Sequence, residues 1–408
     1  MNSISAVLSQ HADGASFLWE LRCAAASAPH YSLADLAKLD NRLEANLDGL
    51  RVAGDAGWEL CQQALKDGQA GEVFAAAVLA FESNKQDRVD LVLQSGSASA
   101  ELSRGLISGL GWLPWQQAEP HIARLLTSPL STAQRVGIAA SAIHRHNPGR
   151  SLLAALSSVD VLLRARALRA VGELGLIDLL SEIQKYLNDD DALCRFSAAW
   201  STILLSSHPG ALAILVSTAE SDLHYREKAL QIAARRMDHA SATAWFQKLA
   251  ANPNLIHSSI ALAGALGDPA NMPWLIEQMG VPELSRLAGE AFTTITGIDI
   301  ALEKLERKPP ESSENEESQT DADENLPWPE PDRIATWWNR HQGTFRSGAR
   351  YLLGRPISVD SCRQVLRAGR QRQSAAAALE LAIRDPGQPL FNVAAPGHRQ
   401  QRELGLRH

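Results

Sequence analysis

The sequence predicts an all-α protein: an α-solenoid of short helix pairs, followed by an acidic disordered linker and a helical C-terminal segment. Three observations predict it. First, among 408 residues Ala supplies 63, whereas Tyr and Phe together supply 12; Ala is the best helix former, and sheets need β-branched and aromatic residues. Second, the middle of the chain repeats itself about every 31 residues, with Arg104, Arg135, Arg164, Arg195, Arg226 and Arg286 at one position and His257 in the remaining copy. Third, each copy is punctuated by Gly, Pro or Asp, as at Gly175, His208-Pro209-Gly210 and Gly267-Asp268-Pro269, which breaks it into two helices.

The elements follow in order. Residues 1–87 read as an N-terminal helical region of degenerate repeats, with helix-like runs at Leu33–Leu50, Gly57–Leu65 and Gly71–Phe81. Residues 88–300 carry the repeats proper. Three consecutive copies place Asp four residues before the Arg: Asp160 with Arg164, Asp191 with Arg195, and Asp222 with Arg226; other copies hold Ser131, Pro253 or Pro282 there. Asp and Ser cap helix N-termini and Pro suits the first turn, so a helix is expected to start at each site. A stripe such as Ala167, Leu168, Val171 and Leu174 then forms the apolar face, and a second helix is expected at Leu176–Leu187 or Ala211–Thr218. One pair cannot bury its face alone, so the pairs must stack. The six Asp and Arg residues are read as a structural ladder between repeats, the alternative being an anion-binding row.

Residues 301–332 are expected to be a disordered linker, since Pro309–Asp332 holds nine acidic residues and no basic one, too little apolar surface to offset the entropy of ordering. Residues 333–408 hold 13 Arg, no Lys and four acids, a net +9, which leaves −16 on the preceding 332 residues. Trp337, Trp338 and the Ala375–Ile383 run favour docking of this helical segment over a free basic arm.

Leu163–Gly175 resembles the HEAT repeat, specifically the short HEAT-like type of phycobilisome lyases with its D-x-x-x-R-x-x-A-L-x-A-L-G pattern; the resemblance covers about residues 88–300 and implies fold rather than reaction. Ala288–Phe292 with Ile295–Asp299, the Trp337-Trp338 pair and Leu379–Gly387 with Pro389–Asn392 resemble an uncharacterised proteobacterial HEAT-repeat family encoded near type VI secretion genes. That resemblance implies a scaffold, adaptor, chaperone or assembly role toward a secretion effector or apparatus component.

No G-x-S-x-G, Walker loop, H-E-x-x-H or G-x-G-x-x-G after a strand is found in the sequence, so no enzyme, cofactor or metal is expected. The Asp189-Asp190-Asp191 triplet reads as a capped loop rather than a Mg²⁺ site. His144 and His146 sit about 200° apart on a helix, too far round to share a metal. Cys23, Cys61, Cys194 and Cys362 are scattered, and the first apolar stretch is interrupted by Glu20 and Arg22; both point to a cytoplasmic protein without a secretory signal. The run Phe196–Ala219 is split by Ser206–Gly210, so membrane insertion is not expected. The expected function is a non-enzymatic protein–protein interaction scaffold, with Trp112, Trp115, Trp337 and Trp338 as candidate interaction residues, although their spacing also suits packed corners. The alternative is a nucleic-acid binder using the Arg-rich C-terminal segment, disfavoured as a whole-chain property by the net charge of −7. Asp191→Ala is expected to destabilise the protein by about 1 kcal/mol in denaturant unfolding while leaving partner binding intact; lost binding at unchanged stability would make the ladder functional.

Overall fold

Several inner helices start where a short polar side chain or a proline opens them, Ser99, Asp160 and Pro282 among these residues. A computed structural model describes residues 3–309 and 323–406, the side chains of residues 3–5 excepted. In chain order the first helices are α1 (Ser3–Ala25), α2 (Leu33–Val52), α3 (Asp55–Ala64), α4 (Ala70–Ser83), α5 (Gln86–Gly96) and α6 (Ala100–Trp112). Then come α7 (Trp115–Leu126), α8 (Ser131–Ile143), α9 (Arg150–Leu156), α10 (Val161–Glu173), α11 (Leu180–Gln184) and α12 (Ala192–Leu205). The chain continues through α13 (Pro209–Ser221), α14 (Arg226–Arg236), α15 (His239–Ala250), α16 (Ile256–Leu266), α17 (Met272–Gln278), α18 (Pro282–Thr296) and α19 (Pro331–His341). A minimal hairpin, β1 (Tyr351–Leu352) and β2 (Arg355–Pro356), precedes α20 (Val359–Ala368), α21 (Gln371–Arg384) and α22 (Gly397–Glu403). The fold is thus all-α, as the composition and repeat demand.

Several expected starts are met as capping chemistry requires. The Asp160 carboxylate accepts from the Leu163 N–H at 2.9 Å and Asp191 from the Cys194 N–H at 3.0 Å, while Pro282 opens α18. Asp222 departs from the expectation. It accepts from the His224 and Tyr225 amides at 2.8 and 3.2 Å, closing a turn before α14, whose cap residue is Tyr225; an Asx turn competes with a helix start for the same oxygen. Ser131 is likewise the first residue of α8 rather than its cap, and its hydroxyl donates to Asp160 Oδ2 at 2.6 Å, linking neighbouring repeats. The helix expected over Leu176–Leu187 is α11 flanked by two 3₁₀ turns, Ile177–Leu179 and Lys185–Asn188.

The chain divides into two compact units, Met1–Ser27 with Tyr31–Ser201 and Gly387–His408, and Ala28–His30 with Thr202–Pro386. In the first unit α1 packs on α2 and α4, α4 on α6, α6 on α8 and α8 on α10. Glycine sets the closest approach: a Cβ on Gly105 would lie 2.1 Å from the Ala70 carbonyl oxygen. In the second unit α13 packs on α14, α14 on α16 and α16 on α18, with α20 on α21 and α21 on α14. This division differs from the sequence-based boundaries, because the C-terminal residues are built into both units rather than forming a segment of their own.

The ends of the inner helices explain why. The last carbonyls of a helix have no intrahelical donor, and in both units the C-terminal region supplies one. In the first unit the Leu390 N–H donates to the Glu173 carbonyl at 3.0 Å, Asn392 Nδ2 to that of Ile143 at 3.3 Å, and Arg399 Nη2 to those of Gly111 and Leu113 at 2.9 and 3.0 Å. These acceptors close α10, α8 and α6. In the second unit Arg350 donates to the Leu266 and Ala265 carbonyls at 2.9 and 3.2 Å, and the Tyr351 N–H to Gly267 at 2.8 Å. The hairpin tip, Leu353 and Gly354, both at positive φ as a two-residue turn requires, donates to Thr294 and Ile295 at the end of α18 at 2.7 and 2.8 Å.

The flanks of the expected linker also belong to the second unit. The Arg307 N–H donates to the Trp328 carbonyl and the Glu330 N–H to that of Leu305, both at 2.8 Å, and Arg286 stacks over Trp328 at 4.9 Å. Residues 305–307 and 328–330 of the expected 301–332 linker are therefore built into the second unit, and residues 310–322 lie outside the described residues. Trp328 and Pro329 supply the apolar surface that the acidic count overlooked.

Buried charges tie the straps in place. Burial raises the Glu173 carboxyl, but Arg166, Arg169 and Arg145 outweigh it and hold it at about 2. In the second unit Glu380 meets Arg350 at 2.5 Å and Arg235 at 3.5 Å, with burial bringing the Arg235 guanidinium down to about 10 against the pull of Glu380.

Gly175 and Gly267 combine positive φ, +66° and +69°, with strap carbonyls that would lie 2.5 and 2.3 Å from an added Cβ, whereas Gly68, at φ +71°, faces open space. Gly68→Ala should therefore cost only the left-handed strain, about 1 kcal/mol, while Gly175→Ala and Gly267→Ala should each cost roughly twice that or more in denaturant unfolding. Equal costs at all three positions would show that the straps are not closely held.

Candidate interaction site

Two helix faces and one strap make a cleft in the first unit. Trp19, Arg22 and Cys23 on α1, with Ala26 just past its end, follow each other at helical spacing, as do Arg104, Ser108, Gly111 and Trp112 on α6; both stripes line a cleft of about 260 Å³. Residues three and four apart share one helix face, so each stripe is a single surface. Beneath them lies the fully buried Phe74 of α4, with Trp19 stacked on it at 5.6 Å and Trp112 edge-on at 5.6 Å. Ile143 from the end of α8 and Asn392, Ala394 and Pro396 of the strap complete the lining.

The strap wall is held by a buried ion pair. Arg22 Nε donates to Asp40 Oδ1 at 2.9 Å, Arg22 Nη2 donates to the Ala395 carbonyl at 2.8 Å, and the Gly397 N–H donates to Asp40 Oδ2 at 2.5 Å. Gly397 itself sits against α2, where a Cβ would meet Ala37 Cα at 2.7 Å. Arg22 also lies over the Trp112 ring at 5.9 Å, and Trp112 Nε1 donates to Glu44 at 2.6 Å. Arg104 lies over Trp19 at 5.9 Å and donates to Glu101 at 2.8 Å. Burial pushes the Cys23 thiol up against the opposing influence of Arg22 and Arg104. The lining thus offers two guanidinium groups, two indoles, a hydroxyl and an amide, and no carboxylate. Chemically it is a donor-rich, aromatic-floored recess.

Of the four candidate tryptophans, only Trp112 lines this cleft. Trp115 stacks on His146 at 3.7 Å with the rings nearly parallel and meets His144 edge-on at 5.3 Å; burial brings His144 down to about 4, against its contact with the Leu110 carbonyl. Both residues belong to the second unit in the case of Trp337 and Trp338: Trp337 is edge-on to Phe292 and stacked on His341, while Trp338 is buried beside Phe345. The ladder residues serve the loops between helices. Arg164 pairs with Asp189 at 3.1 and 3.3 Å and donates to the Ser158 carbonyl at 2.7 Å; Arg195 donates to the Asp189 and Asp190 carbonyls, and Arg226 to those of Ala219 and Glu220. Trp19, Arg22 and Asn392 were not singled out from the sequence as site residues, and Arg104 only as a repeat arginine. The signal was present as the 19/22/23/26 and 104/108/111/112 spacings, but nothing in them says that the two stripes face one recess.

Among the described residues no cluster of three or more His, Cys, Asp or Glu side chains could hold a metal ion, all four cysteines are free thiols, and no helix is long and apolar enough to cross a membrane. Neither a protein-family model nor a curated protein matches this chain. Fold and cleft together define an all-α protein of stacked helix pairs that carries an aromatic, guanidinium-lined recess.

Asp40→Asn should destabilise the protein by roughly 3 kcal/mol, the usual cost of stranding one member of a buried pair, and should speed hydrogen exchange at the Gly397 amide. Unchanged exchange there would mean that the pair does not hold the strap.

Proposed function

We propose that this protein is a non-enzymatic interaction scaffold, a HEAT-like α-solenoid whose first unit holds a partner protein at the α1/α6 cleft. The observation that carries this reading is the lining itself. Trp and Arg dominate the energetics of protein recognition sites, and here two of each converge on one recess with a helix-borne face on either side. The 31-residue helix pairs and their loop-binding arginines support the HEAT-like assignment, and the sequence resemblance around Ala288–Asp299 and Leu379–Asn392 supports a partner drawn from type VI secretion, as an effector or apparatus component served by an adaptor or assembly factor.

A nucleic-acid binder working through the Arg-rich C-terminal segment gains less support. Arg350 and Arg399 are committed to helix-end carbonyls, and Arg372 to Glu290 and Asp323 at 2.6 and 3.0 Å. The test is affinity purification of the full chain from its native host, followed by crosslinking mass spectrometry. A discrete protein partner should be retained after nuclease treatment, crosslinked near α1 and α6. Retention of nucleic acid with affinity falling steeply as salt rises would favour the alternative instead.

A further inference from the structure

The α1/α6 cleft has a chemistry more specific than a general contact surface. Its lining contains no carboxylate. Trp19 lines the recess and is 3 % exposed as a residue; among the described residues nothing accepts a hydrogen bond from its indole N–H, and that nitrogen is not one of the enclosed unpartnered atoms, so it keeps access to solvent. A donor open to solvent bonds to water, and a ligand acceptor that reproduces that bond can take the water's place. Arg22 is spent on Asp40 and the Ala395 carbonyl, but Arg104 is different: its side chain is 55 % exposed and its carboxylate partner, Glu101, is 66 % exposed, a surface pair of little strength. One available guanidinium fork matches one carboxylate. The volume of about 260 Å³ lies below the range of about 300–1,000 Å³ usual for whole small-molecule ligands, so the recess fits one or two side chains of something larger.

We infer that the cleft receives an acidic side chain, flanked by an apolar neighbour, from a docking segment of the partner protein. The carboxylate accepts from Arg104 and from the Trp19 indole N–H, while the apolar neighbour lies against the Trp19 and Trp112 rings. This rests on the interaction-protein reading, but its test is separable.

The experiment uses the full chain labelled with ¹⁵N at its tryptophan indoles and titrated with the capped tripeptides acetyl-Leu-Glu-Leu-amide and acetyl-Leu-Gln-Leu-amide, with glutarate and the corresponding phosphoserine tripeptide as further arms. Trp19→Phe, which keeps a ring against Phe74, assigns the Trp19 resonance by its loss. The Glu peptide should shift that resonance saturably, at least tenfold more tightly than the Gln peptide, and Arg104→Gln should reduce the difference to less than twofold while leaving the circular dichroism spectrum unchanged. Equal binding of the two peptides, or no shift with either, overturns the inference. Glutarate binding as tightly as the Glu peptide would make this a small-carboxylate site instead, and tenfold tighter binding of the phosphoserine peptide would make it a phosphate site; either result also overturns it. If the Glu peptide binds as expected but affinity purification yields no protein partner, the scaffold reading fails and the carboxylate pocket stands. If a partner is captured undiminished by Arg104→Gln and the peptides give no shift, the pocket fails and the scaffold reading stands.

Discussion

The structure depends on what becomes of the carbonyl groups at the C-terminal ends of its inner helices. Stacking helix pairs in register aligns those ends along one edge, and each end exposes acceptors that the helix cannot satisfy. Burying them without donors would cost about 1–3 kcal/mol each. The C-terminal third of the chain answers this need in both units, with backbone amides, the Asn392 amide and the guanidinium groups of Arg350 and Arg399 as donors. The glycines that end α10, α16 and α18 serve twice, taking up the left-handed conformation that terminates a helix and leaving room for the strap to pass.

This arrangement makes the first unit a structure of long-range closure. Arg22 and Ala395 are separated by 373 residues in the chain, Asp40 and Gly397 by 357. Local repeats form from neighbouring sequence, yet the strap wall of the cleft exists only once the C-terminal residues have arrived. Loop-closure entropy grows slowly with length, so such a wall is affordable to stability while being late in folding. The recess and the completion of the unit are therefore coupled: the ion pair that seats the strap also places Arg22 against Trp112.

Charge is used in the same economical way. The arginine excess of the C-terminal region looks from composition like a polyanion-binding arm, but much of it is spent internally. Arg350 and Arg372 pair with Glu380, Glu290 and Asp323, and Arg145, earlier in the chain, donates to the Leu390 carbonyl of the strap at 2.7 Å. Arg suits this work better than Lys because its fork reaches several carbonyls at once and stays charged when buried.

Much of this was legible in the sequence. The 31-residue period, the Asp160 and Asp191 caps and the Pro282 start follow from local chemistry, because each needs only residues a few positions apart. The all-α class follows from Ala content and helical spacing for the same reason. What local chemistry cannot specify is which distant groups meet. Asp222 reads as a cap and closes a turn, since the same oxygen serves either geometry and packing chooses. The acidic count around 301–332 predicts disorder, but Trp328 packs under Arg286 and Glu330 donates to the Leu305 carbonyl. Trp19 and Trp112 are separate helical stripes in sequence; only the shared contact with Phe74, and a strap arriving from beyond residue 387, turn them into two sides of one cleft. Periodicity and capping are short-range and written in order along the chain, whereas satisfaction of buried donors and acceptors is a property of the whole assembled unit, decided by tertiary structure alone.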